Sequence, residues 1–146
     1  MQIENPGPKL KLEKLSNLEA KIQAKLPSAY RDFLLQFNGG VPWPNNTIDV
    51  QNLPSSPTDV QVFFGIGRSI KTTNVAWNLD LIDERCPNHR AVPIACDSGG
   101  NLFCLNLVGD TADKVVYFDL GAVDCALYLV ASSFAEFVQR IRSFGH

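Results

Sequence analysis

Histidine is nearly absent: only His89 and His146 occur in 146 residues. With one internal imidazole, a Ser-His-Asp or Cys-His relay has little to draw on. The four cysteines, Cys86, Cys96, Cys104 and Cys125, form no CxxC pair. Zinc asks for four nitrogen or sulfur ligands at close spacings, so no metal site is expected. Charge of one sign is missing too. Thirteen Lys and Arg stand against 15 Asp and Glu, a formal charge of −2. That balance argues against a general nucleic-acid grip, which needs clustered cations. No apolar run approaches the roughly 20 residues that span a bilayer. Met1 to Pro6 lacks the basic and then apolar order of a secretory leader. There is no repeat, low-complexity tract or linker. The expectation is one domain over 1–146, with 1–8 as a loose leader, in the cytoplasm and away from membranes.

What is present is ordinary globular composition, 45% hydrophobic and 19% charged. The most informative stretch runs from Ile94 to Leu105. Two short apolar runs flank Asp97-Ser98-Gly99-Gly100-Asn101. Asp and Ser bond the local backbone in turns, and Gly accepts positive φ. This predicts a hairpin over Val92–Cys96 and Leu102–Leu107 with a glycine tip. Cys96 and Cys104 fall inside its apolar runs, where Cys behaves as a small hydrophobe. Buried, reduced thiols are expected, with a disulfide between the hairpin strands or a metal site as the alternatives.

Leu15, Leu18 and Ile22 recur at helical spacing between Lys9 and Lys25. After Leu26-Pro27, Tyr30, Phe33, Leu34 and Phe37 make a second apolar stripe, closed by Asn38-Gly39-Gly40. Thr47–Val50, Val60–Ile66 and Val115–Asp119 read as strands. Ser69–Glu84 reads as a helix buried through either Trp77 and Leu81 or Val75, Leu79 and Ile82, with Trp77 expected in the core. Ser133 and Glu136 fit a capping box ahead of Phe134, Phe137, Val138 and Ile141. Together these predict an α+β fold: a central, mainly antiparallel sheet flanked by an N-terminal helix pair and a C-terminal helix.

Four segments in series carry a family resemblance. They are Leu26–Leu34 with Phe37–Gly40, Val92–Asn101, Leu102–Leu107 with Lys114–Asp119, and Leu129–Phe137. Their order and spacing resemble the SUKH superfamily, which contains a fungal regulator of cell-wall synthesis and many bacterial immunity proteins. The resemblance implies a binding protein without a common catalytic motif or cofactor. Its partner would be a cognate toxin of a polymorphic or contact-dependent system, often a nuclease or deaminase. A cytoplasmic regulatory module is the alternative. The sequence departs from the family at Cys96, where a polar or acidic residue is common, and in Val41-Pro42-Trp43-Pro44.

The remaining chemistry is sparse. Asp97-Ser98-Gly99-Gly100 resembles the nucleophile segment of trypsin-like proteases but lacks the placed base. A Cys96–His89 pair would need an exposed, electropositive thiol. Gly65-Ile66-Gly67 lacks the third glycine and the lysine of a phosphate loop. Lys9, Lys11, Lys14, Lys21 and Lys25, interleaved with Glu13 and Glu19, read as a solvated helix face. No enzyme is expected. The acids are unevenly spread: Asp49, Asp59, Asp80, Asp83, Glu84, Asp97, Asp110, Asp113, Asp119 and Asp124 face only Arg68, Lys71, Arg85, Arg90 and Lys114 over the same stretch. Candidate partner-binding residues are therefore Trp43, Asp49, Asp97, Ser98, Asn101 and Asp119. Trp43 is held between prolines and would be a hot spot or a cover for the core edge.

Overall fold

The computed structural model describes residues 1–123 and 125–145. Asp124, one of the acids named above, and His146 lie outside the described residues. Leu15, Leu18 and Ile22 are buried along α1, Leu12–Ile22. α2, Ser28–Phe37, follows Pro27 and buries Tyr30, Phe33 and Leu34, with Phe37 partly covered. Asn38 closes α2 in the left-handed region at φ 52°. Its buried amide then ties two distant segments together. Nδ2 donates to Pro8 O (2.9 Å) and Ile66 O (2.8 Å), and Oδ1 accepts from Ile66 N at 2.8 Å. Gly65 passes so near that a Cβ there would sit 2.2 Å from the Asn38 carbonyl oxygen. The glycine at 65 is thus a packing requirement.

The expected loose leader is built into the fold. β1, Gln2–Glu4, pairs antiparallel with β2, Val41–Trp43. Gly7 N donates to Phe37 O at 2.9 Å, and Arg68 Nη2 donates to Asn5 O at 3.1 Å. A three-residue strand has no legible periodicity, and its partner lies some forty positions downstream.

β3, Thr47–Ile48, pairs with β4, Thr58–Asp59. The central sheet contains β5 (Val62–Phe63), β6 (Ala91–Cys96), β7 (Leu102–Asn106), β8 (Val115–Asp119) and β9 (Ala126–Ala131), in that order and antiparallel throughout. α4, Phe134–Arg140, starts on Ser133, whose Oγ accepts from Glu136 N at 3.1 Å. Glu136 reaches back to Ser132 N and Oγ. On one sheet face Phe103 meets Tyr117 and Phe137, ring centroids 5.2 and 5.1 Å apart. Phe33 and Phe134 extend this aromatic layer to α2 at 5.3 Å. Phe118, pointing to the other face by strand alternation, meets His89 at 5.5 Å.

α3, Val75–Arg85, follows a 3-10 turn at Lys71–Thr73 and packs against β6. It buries Val75, Leu79 and Ile82, not Trp77, which is 37% exposed. The helix keeps the more apolar stripe inside and leaves the indole on its flank. Cys86, just beyond α3, is disulfide-bonded to Cys125, just before β9. This corrects the expectation of four reduced thiols. Thirty-nine positions separate the two cysteines, and only the folded sheet brings them together. Cys96 and Cys104 are free, the first half-buried and the second buried. No helix among the described residues is long and apolar enough to cross a membrane.

Candidate functional site

The hairpin between β6 and β7 ends in a cleft of about 520 Å³. Asp97, Ser98, Gly99 and Asn101 form its hairpin side, and Thr58 and Asp59 of β4 face them. Tyr117 of β8 and Phe144 complete the lining, Phe144 at 82% exposure. Two carboxylates line this cleft, and no Lys or Arg does.

Asp97 is 3% exposed and organises the whole tip. Its Oδ1 accepts from Gly99 N (3.0 Å) and Asn101 N (2.9 Å), which makes the turn. Its Oδ2 accepts from Thr58 Oγ1 (2.8 Å) and Tyr117 OH (2.5 Å). Gly100, at φ +85°, supplies the left-handed step that lets the turn close,. Buried carboxylates survive only when hydrogen-bonded in this way. Asp97 therefore braces three strands and acts outward through its field alone. Burial, and then the bond to Asp97, raise the pKa of Tyr117 above the usual phenol range.

Asp59 is the more accessible carboxylate. Its Oδ1 accepts from Ser98 N at 2.8 Å, and its Oδ2 takes the Ser98 hydroxyl. Ser98 is exposed at the rim. Asn101 Oδ1 accepts from Leu120 N at 2.9 Å, which fixes the chain leaving β8.

Of the six candidate residues, Asp97, Ser98 and Asn101 converge on the cleft. Asp49 lies outside its lining and forms a two-bond pair with Arg142, 2.8 Å for each contact. That hydrogen bonding holds the Asp49 carboxyl below its usual range. Asp119 ends β8, half-buried, and accepts from Gly121 N at 3.0 Å. Trp43 sits on the separate β1–β2 ribbon, 53% exposed. Sequence reasoning did not single out Thr58, Tyr117 or Phe144, and counted Asp59 only among the acids. Nothing in the Pro- and Ser-rich run 52–59 signals that it forms the opposite wall.

The same geometry bears on nucleophilic chemistry. Burial and the Asp97 and Asp59 carboxylates push the Cys96 thiol up to about 11. Its Sγ lies 3.6 Å from Gln61 Oε1, while His89 packs on Phe118. A thiol so placed stays protonated near neutrality. Among the described residues, no group of three or more His, Cys, Asp or Glu is placed to hold a metal.

The model of the SMI1 / KNR4 family (SUKH-1) matches residues 9–140. The chain is also 30% identical, over 143 aligned residues, to the SPbeta prophage-derived uncharacterized protein YokK of Bacillus subtilis (strain 168). That match covers 86% of this chain and 71% of the relative.

Proposed function

Since the chain belongs to the SMI1 / KNR4 family (SUKH-1), we propose that it is an immunity protein. It binds the basic, nuclease-like surface of one cognate bacterial toxin of a polymorphic or contact-dependent system. Binding blocks the toxin's active site or substrate entry, without a cofactor and without turnover. The observation that carries this reading is the cleft at the β6–β7 tip, where Asp59 and Asp97 stand with no cation among the lining residues. Negative charge held rigidly over a concave surface attracts a cationic partner and selects its orientation. Asp119 adds to the same field, since it contributes to the raised Tyr117 pKa.

The site of action in this reading is the cytoplasm of the protected cell, where the toxin would reach its substrate. Reducing pools there oppose disulfides, so the redox state of Cys86 and Cys125 in cells reports the compartment. The test is to look for a toxin reading frame beside this gene and to co-express the two. Restored growth and co-purification of the pair are expected. Equal killing with and without the protein would overturn the reading and leave the regulatory module in its place.

A further inference from the structure

A second concavity, of about 550 Å³, lies between α1 and α3. Lys14, Leu18 and Lys21 form one wall, a single face of α1 at i, i+4 and i+7,. Trp77 of α3 lines the other side, and Ile66 and Lys71 are also in the lining. The three lysines have no ion pair among the described residues, and Asp80 is the one acid in the lining. The groove is therefore cationic on a chain of net charge −2, with an apolar patch at its middle.

The turn at Gly65-Ile66-Gly67 borders this groove but is not a phosphate cradle. Gly65 N donates to Thr73 O, Ile66 N to Asn38 Oδ1 and Arg68 N to Asn74 Oδ1. Phosphate loops work by leaving such amides free for the anion. The cations are instead spread along the groove. Seven residues of helix set Lys14 and Lys21 about 10 Å apart, with Leu18 between them.

We propose that this groove binds a short acidic segment of a partner protein in extended form. The fitting pattern is acidic, any, apolar, any, acidic. In a strand these three side chains point one way, and the outer two lie about 13 Å apart. The long lysine side chains absorb the remaining few ångströms. The carboxylates meet Lys14 and Lys21, the apolar residue seats on Leu18, Ile66 and Trp77, and Lys71 adds a third positive charge to the lining. The site uses none of the residues of the acidic cleft and does not rest on the toxin reading.

The test is selection from a phage-displayed random heptapeptide library on the full chain, counter-selected on Lys14→Glu/Lys21→Glu. Both lysines are exposed, and the milder Lys14→Gln/Lys21→Gln serves if charge reversal disturbs α1. Enriched peptides should carry the acidic–apolar–acidic pattern. They should bind the charge-reversed protein at least tenfold more weakly and shift Trp77 fluorescence in a Trp43→Phe background. Absence of enrichment, neutral or basic winners, or equal binding to the variant would overturn the proposal. Displacement of the peptide by equimolar inorganic triphosphate would overturn it in favour of a phosphate ligand.

Discussion

Tyr117 donates its hydroxyl hydrogen to Asp97 across 2.5 Å, joining β8 to the β6–β7 tip inside the core. The same Asp97 oxygen takes Thr58, so one carboxylate holds both walls of the acidic cleft. Tyr117→Phe should therefore cost about 1.5–3 kcal/mol, the range for a hydrogen bond to a charged group. Asp97→Ala should cost more, because it strands four donors at once. Urea unfolding measures both. A Tyr117→Phe protein as stable as the parent would remove the brace.

The Cys86–Cys125 bond closes a loop across 39 positions. On the chain-entropy view such a loop is worth about 4 kcal/mol. Ellman titration of the oxidised, unfolded protein should find the two thiols of Cys96 and Cys104, and four after reduction. Cys86→Ser/Cys125→Ser should lower the urea midpoint accordingly. Four thiols in the oxidised protein would contradict the pairing.

Cys96 offers a pH test. Its folded pKa is raised to about 11, so the reactive thiolate is scarce at neutral pH and grows as pH rises. Alkylation by iodoacetamide should speed up about tenfold per pH unit from 7 to 10, with no plateau in that range. A plateau near pH 8.5, the ordinary thiol value, would show that the carboxylates and burial do not act on it. Cys104, fully buried, should stay unmodified until unfolding.

Trp43 is half-exposed on a two-stranded ribbon. Under the proposed function, Trp43→Ala should cost roughly 2 kcal/mol or more of partner binding if the indole is a hot spot. Calorimetry on the complex and a thermal melt of the free protein separate the two roles. A lowered melting temperature with unchanged binding would assign Trp43 to the core edge.

The parts legible in the sequence are those where one local pattern suffices. Leu15, Leu18 and Ile22 announce α1, Ser133 and Glu136 announce the start of α4, and Asp97 to Gly100 announce the hairpin tip. What was hidden depends on distant pairing. β1 and β2 are three residues each and meet across nearly the whole helix pair. β9 alternates half-buried and exposed residues at the sheet edge, with Leu127 and Leu129 outward, so no polar face marks it as a strand. In the candidate site, Asp97, Ser98 and Asn101 were visible because they make the turn. Thr58 and Asp59 were not, because a segment rich in Pro and Ser carries no sign of the wall it will face. Asp49 looked like free charge, and only the folded chain brings Arg142 onto it.

The central claim is that the acidic cleft draws a cationic toxin, and the association rate measured by stopped flow with Asp59→Asn against the parent tests it most directly. Asp59 is the rim carboxylate, so its neutralisation should slow association several-fold and flatten the salt dependence, with the dissociation rate and the melting temperature changed less. An association rate that is independent of both salt and Asp59 would contradict the account.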